Sequence, residues 1–598
     1  MTPAMNRLFV LAMGVLAACY LLPLNRLLLA GRGLPASRLS WVAVGVMFAG
    51  AALSARGLPW RGMRLLYAAT LLMCLPALVP HTGLGQDLWQ MYCQLFLLVA
   101  GVLMTGMLAG MQAPRTNRTD RVVVTGLMVA GAVVTLWTLA AFCLPDLYQR
   151  MYNVPTGEGR LAGVLNQANV TGSFLAVTVT LGVWRWLRSG KQYTAYWMVG
   201  LAAVMAAIHA TQSTVALLGV VTGFTLLCIA FGRGEGRALG LMAVVLVAGW
   251  MVTTWHPGGD LVPQSSHEYG WRARLQMIRA CLVLTAERPW TGWGYGTFAG
   301  IFPEGLALLG ESQMESTVLP HPHNELMYWM TEGGLIAAAG MMLMAAWGLR
   351  LMVRTFPGKR LSAAALRRGD GWGWCVCVIP VVLHMQTEYP LYQSALHWLV
   401  LVTGTGMAMA AWRAQTPVPD MQPVTFTARS RGLMVVCRST GVLAGVAVVY
   451  FTVTACRVDI ELSRMEVLQA QYPVMRLFDA RDMNPWADHA KALSYQGVRY
   501  LMEYQKTQDK RLLPLSIRWL RMSAAYRPDP LVYHHLMVAY RFAGDEAGEA
   551  ETLREMQRRI RYEPPARTAP TLATQRGTSG VMQADPITSG AGLATETD

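Results

Sequence analysis

Along most of this chain apolar residues come in blocks of about twenty, divided by short polar segments rich in arginine. Wound as a helix, a block of that length matches the hydrocarbon thickness of a bilayer. The pattern predicts spans near residues 8–28, 39–55, 63–80, 92–112, 122–143, 170–187, 193–209, 214–231, 238–255, 324–350, 373–390, 393–412 and 433–455. The expected fold class is therefore an all-α polytopic membrane protein with about thirteen membrane helices. The first block has no convincing small-residue cleavage site and reads as a retained helix. Three long polar pieces interrupt or follow the blocks: 144–169, 256–323 and everything after about 457.

Composition sharpens this picture. The chain has 598 residues, of which 54% are hydrophobic and only 14% charged. Soluble proteins carry about a quarter of their residues as charges. The formal charge of +16 does not call for nucleic acid, because the arginines sit between apolar blocks. Loops containing Arg56, Arg61 and Arg64, then Arg115, Arg118 and Arg121, then Arg185, Arg188 and Lys191, then Arg233 and Arg237 all fall on one side. So do Arg354, Lys359, Arg360, Arg367 and Arg368, and finally Arg413, Arg429 and Arg431. Basic loops favour the cytoplasm, so the N-terminus is expected there and the three long pieces on the opposite face. In a bacterium that face is the periplasm. Arg32 and Arg38 are the exception, in the first exterior loop. Most cysteines, such as Cys19, Cys74, Cys228 and Cys437, lie inside apolar blocks and read as small hydrophobes. Cys375 and Cys377 read as packing in the same way.

The piece after residue 457 divides in two. Residues 457–562 have helical periodicity with polar faces. A Pro528-Asp529-Pro530 turn and a Gly544-Asp545 turn separate three helices. The spacing looks tetratricopeptide-like, and a plain helical bundle fits as well. Residues 563–598 are rich in Thr, Ala, Gly and Ser and are expected to be disordered.

Candidate chemistry gathers on the long-loop face. "HPHNELMYWMTEGG" opens a span with His321, Pro322, His323 and Asn324. Proline suits a first helical turn, so a helix is expected to begin there. Its amides and dipole favour an anion beside an imidazole able to accept a proton from a hydroxyl. A structural hydrogen bond is the commoner role for a lone interfacial histidine. No further acid or histidine cluster completes a metal shell, so neither metal nor cofactor is expected. Upstream, residues 268–302 read as an amphipathic helix led by Arg272 and Arg274 and ending at Pro289. A turn through Gly292, Gly294 and Gly296 follows. Guanidinium forks suit phosphate oxygens, though interfacial arginines also meet lipid headgroups. "GRLAGVLNQANVTGSF" brings Arg160, Gln167 and Asn169 to the start of a span. Polar groups at that depth need partners, in a cavity or between helices. In "LHMQTEYPLYQ", Glu388 needs a partner as well, and His384 or an arginine would serve.

The order of these pieces resembles the O-antigen ligase/polymerase family. Gln-x-Asn opens a span, an Arg-led helix ends in Pro and a Gly-x-Gly turn, and His-x-His-Asn and Glu-Tyr-Pro-Leu follow. Within that family the chain looks most like the protein O-oligosaccharyltransferases, which commonly carry a helical periplasmic tail. The resemblance covers about residues 150–412. It implies a GT-C-type helical fold in the bacterial inner membrane, organised as a transmembrane unit at 1–456 and the periplasmic helical domain at 457–562. The catalytic loop would be 256–323. It also implies en bloc transfer of a glycan from undecaprenyl pyrophosphate to a hydroxyl, at the periplasmic face and without metal or nucleotide sugar. The catalytic histidine falls at His323 and the loop arginine at Arg274. Gln167, Asn169, Glu388 and Tyr389 fall on the remaining motif positions. His321, Asn324, Arg160 and Arg272 complete the set expected to hold the donor. Many relatives have a Ser-Arg pair where this chain reads Thr211-Gln212-Ser213-Thr214, so Arg160 or Arg272 is expected to take that arginine's place.

The acceptor is expected to be Ser or Thr of a periplasmic protein such as a pilin. Lipid A core or a growing glycan is the rival acceptor for the same donor. A transporter fits less well. Its polar groups would lie near mid-membrane in repeated halves, whereas these gather on one face.

Overall fold

The computed structural model describes residues 3–22, 35–55, 60–79, 86–111, 113–152, 161–165, 167–189, 191–253, 267–311, 319–358, 363–415, 428–468 and 475–560. Arg160 and the segment 563–598 lie outside these. Among the described residues there is no strand.

The helices, in chain order, are α1 (Pro3–Leu21), α2 (Pro35–Ser54), α3 (Trp60–Cys74), α4 (Leu88–Ala109), α5 (Ala113–Cys143), α6 (Pro145–Tyr152) and α7 (Ala168–Leu187). Then come α8 (Thr194–Thr211), α9 (Thr214–Val252), α10 (His267–Glu287), α11 (Phe298–Leu309), α12 (Glu325–Thr355), α13 (Ala363–His384), α14 (Pro390–Gln393) and α15 (Ala395–Gln415). The last six are α16 (Ala428–Leu468), α17 (Met475–Met483), α18 (His489–Thr507), α19 (Leu512–Tyr526), α20 (Pro530–Ala543) and α21 (Glu546–Ile560). By length and composition nine helices among the described residues can cross a membrane, and four are shorter and apolar. Twelve of these thirteen carry the expected spans. The extra one is α11, which belongs to the long piece at 256–323.

Two expected spans share α9. As one straight rod its 39 residues would reach about 58 Å. Both its ends nevertheless lie beside the end of α8. Ser213 caps its start, one residue beyond the α8 cap Gln212, and Thr253 at its far end lies 2.8 Å from His209 in the last turn of α8. The helix therefore doubles back, and the non-helical Glu235 (φ −119°, ψ 19°) marks the break. Small residues set the packing of both arms. A Cβ on Gly223 would strike Thr180 of α7, and one on Gly249 would strike the Ala202 backbone of α8.

The arginine-rich ends of the helices gather at one pole of the bundle. There Arg188 pairs with Asp370 at 2.9 Å, Arg438 donates to the Ala55 carbonyl, and Arg413 donates to the Ala109 carbonyl. The motif residues collect at the other pole. The misfit Arg38 sits there too and has a structural reason. Its guanidinium bridges Asp459 at 2.5 Å and Asp488 at 2.7 Å. It thus ties α2 both to α16 and to the residue that opens the terminal helices.

The boundary expected at 457 falls inside α16, which runs unbroken from an apolar to a polar stretch. Beyond it, α18 to α21 stack in sequence. The turn chemistry is the expected one. Asp529 caps α20 with Pro530 in its first turn, and Gly544 ends α20 in the left-handed region at φ 74°.

Candidate functional site

The strongest local signal in the fold is a break in α12. Gly334 leaves helical geometry at φ 66°, ψ −166°. The turn after α10 plugs the gap with backbone hydrogen bonds. Trp293 N–H donates to the Thr331 carbonyl and Gly294 N–H to that of Glu332. In return Leu335 and Ile336 donate to the carbonyls of Pro289 and Trp290. Only glycine permits this approach. A Cβ on Gly334 would lie 2.3 Å from the Trp290 oxygen, and one on Gly292 would lie 2.5 Å from the Glu332 carbonyl. The plug locks α10, which carries Arg274, against α12, which follows His323. It also satisfies irregular backbone inside protein, as a membrane setting demands.

The start of α12 differs from expectation. The helix begins at Glu325 with Asn324 as its cap, so Pro322 precedes the cap and is not in the first turn. Between them His323 adopts φ 55°, an uncommon conformation for a residue with a side chain. The end of the helix is not an open anion site. Met327 N–H is taken by the Asn324 side chain and Glu325 N–H by the Met385 carbonyl. Asn324 also donates to the Gln386 carbonyl at 3.0 Å, which stitches this segment to the turn after α13.

That turn presents Glu388, and four expected residues converge on its carboxylate. His323 Nδ1 lies 2.6 Å from one oxygen, with Gln167 at 3.4 Å from the same atom. Arg274 Nη2 donates to the other oxygen at 2.8 Å, and Asn169 donates to it at 3.3 Å. The carboxylate is 5% exposed, whereas Arg274 is 36% and His323 19% exposed. Burial alone would raise the Glu388 pKa. The close contact with His323 and the Arg274 guanidinium overcome it and hold the carboxyl at about 2. The partner foreseen for Glu388 is thus the arginine together with His323, while His384 bonds elsewhere.

The remaining expected residues take distinct places. His321 is buried, and its Nδ1 accepts the His323 backbone N–H at 3.0 Å. Burial lowers its pKa, consistent with a neutral ring using that lone pair. Its ring packs among Tyr328, Tyr389 and Tyr392. Tyr389 also meets the His323 ring edge-on at 5.2 Å between centroids. Arg272 is exposed, two positions from Arg274 and so on another side of α10. Ser213, at the position where many relatives have a Ser-Arg pair, donates to the Asn169 side-chain oxygen at 3.0 Å while capping α9. Its neighbour Gln212 stands in the left-handed region at φ 49°. Sequence reasoning missed the part played by Ser213, although a serine just before an apolar run is a cap signal. Among the described residues no group of three or more potential ligands could hold a metal ion.

Chemically, a carboxylate against Nδ1 leaves Nε2 of His323 as the basic nitrogen, beside a cation with further N–H groups to offer. The pattern described as O-Antigen ligase matches residues 199–342, which include Arg274 and His323. The pattern described as Virulence factor membrane-bound polymerase, C-terminal, matches residues 372–566, which include Glu388 and the terminal helices. No curated protein matches the chain. Over these two stretches, which span the loop arginine, the histidine and the hub carboxylate, the chain is similar to the O-antigen ligase/polymerase family of membrane glycan-transferring enzymes.

Proposed function

We propose that this protein is an O-oligosaccharyltransferase of the bacterial inner membrane, with its motif pole and terminal helices in the periplasm. It moves a preassembled glycan from undecaprenyl pyrophosphate to Ser or Thr hydroxyls of periplasmic proteins such as pilins. The observation that carries this reading is the contact of His323 with the buried Glu388 carboxylate, with Arg274 on the other oxygen.

The donor sugar already bears a good leaving group, so the enzyme needs no general acid. It must position and deprotonate the attacking hydroxyl, which is a task for one base. Glu388 orients His323 and stabilises the imidazolium that forms, while Nε2 takes the hydroxyl proton. Attack opposite the departing pyrophosphate inverts the anomeric carbon. Arg274 spends one nitrogen on Glu388 and turns its remaining donors to the phosphates, where negative charge builds. Arg160 and Arg272 are the candidates for a second phosphate contact. Gln167, Asn169 and Tyr389 shape the pocket around the hub.

A second reading has the same donor and site but transfers to lipid A core or to a growing glycan. The descriptions of the two matching patterns favour it. The test uses a deletion strain that makes a lipid-linked glycan, complemented with the native gene or with His323→Ala. Mass spectrometry of periplasmic proteins and gels of lipid A core then report the products. Protein glycan present with the native gene and reduced about 10²- to 10⁴-fold by His323→Ala is the expected result. Glycan on lipid A core alone would replace the proposal with the second reading.

A further inference from the structure

One turn below the Glu388 hub lies a second polar cluster that the chemistry above leaves unused. Ser173 Oγ of α7 is 2.7 Å from His384 Nδ1 at the end of α13 and 2.8 Å from His397 Nε2 in the first turn of α15. All three side chains are fully buried. Among the described residues His384 Nε2 and His397 Nδ1 have no hydrogen-bond partner, so there the serine oxygen is the hydrogen-bonding anchor of both rings. One assignment satisfies every contact. The hydroxyl donates to the Val170 carbonyl at 3.2 Å and its two lone pairs accept one N–H from each imidazole. Three helices thus meet at one oxygen.

The spacing links this cluster to the site. Ser173 stands four residues after Asn169 on α7, so the two share a face. Glu388 stands four residues after His384 and donates its backbone N–H to the His384 carbonyl at 2.9 Å. The pair Asn169–Glu388 is therefore an upper rung and Ser173–His384 a lower rung of the same contact between α7 and the turn.

We propose that Ser173, through His384 and His397, is a positioning residue for glycan transfer. It fixes the turn at 385–388, and with it the carboxylate that aims His323. The inference rests on the proposed role of His323 but not on which acceptor is used. A base misplaced by a fraction of an ångström slows the chemical step without touching donor binding.

The test is steady-state transfer in liposomes containing lipid-linked glycan, with whichever acceptor the native enzyme uses. Ser173→Ala should lower kcat about tenfold and leave the donor KM within about twofold. Ser173→Thr, which keeps the hydroxyl, should restore most of the rate. If Ser173→Ala does not fold, His397→Phe removes one arm of the clip and should lower kcat in the same way, while His397→Gln should retain most of it. Native kcat in Ser173→Ala, a threonine variant as slow as the alanine one, or a loss carried by KM would each overturn the inference. His323→Ala runs in parallel. If that variant stays active, the proposed site itself fails, which is a different outcome from any of the Ser173 results.

Discussion

Among the glutamates buried near the loop that precedes α12, Glu388 and Glu332 are solved in opposite ways. Glu388 accepts from the Arg274 guanidinium and the Gln167 and Asn169 amides, and the His323 imidazole stands against it. Glu332 in α12 is fully buried, accepts the Phe298 N–H at 2.8 Å, and has one oxygen without a hydrogen-bond partner among the described residues. No ion pair involves it among the described residues. Burying a charge is costly unless it is paired, so the two positions ask different things of the same side chain. Glu388 serves as an anion that organises cations. Glu332 serves as a shape with one acceptor, wedged where the glycine turn plugs the broken helix.

Substitution by the isosteric amide separates these roles most sharply. Glu388→Gln should lower turnover roughly 10²- to 10³-fold, since removing one partner of a buried pair leaves the other uncompensated. Turnover within a factor of two of native would erase the distinction. Arg274→Lys keeps the charge but not the fork that serves carboxylate and phosphate together, and should cost about tenfold in kcat/KM. Acid is a gentler probe of the same carboxylate. With its pKa at about 2 against an ordinary 4.5, Glu388 adds stability that is complete above about pH 4.5 and lost as pH falls through 2. Thermal melts in detergent between pH 5 and 2 should show that loss in the native protein and much less of it in Glu388→Gln. The smallest effect belongs to Glu332→Gln, whose amide oxygen still accepts from Phe298. Turnover within about twofold and a melting temperature within a few degrees of native are expected.

The sequence made much of this site legible, and the physical reason is local. Gln167, Asn169, His323 and Glu388 each sit at a helix end or turn, where polar residues beside apolar blocks are conspicuous, and Arg274 lies inside the amphipathic α10. That they meet on one carboxylate could be foreseen only through the order of motifs the family shares. What stayed hidden depends on tertiary contact. The Thr-Glu-Gly-Gly stretch reads as uninterrupted helix, because nothing local reveals that another segment's backbone completes its hydrogen bonds. The helix starts at Glu325 and not at His321–Pro322 because the left-handed His323 between them is a tertiary compromise. The same holds for the clip at Ser173, where a serine inside an apolar helix gives no sign of two histidines more than two hundred residues away. Some topology was legible in outline only. The two arms of α9 were separable by their arginine-bearing gap, yet the partners of Arg38 were not.

Arg38 also imposes an order of events on biosynthesis. Its two carboxylate partners follow it by 421 and 450 residues. At ribosomal speeds of about 5–20 residues per second, the nearer one emerges roughly 20–80 s after the arginine. The clasp between the start of α2 and the terminal helices is thus among the last contacts to close. A chain cut short before residue 459 would leave a guanidinium stranded at the finished pole, a mark by which an incomplete molecule differs from a complete one.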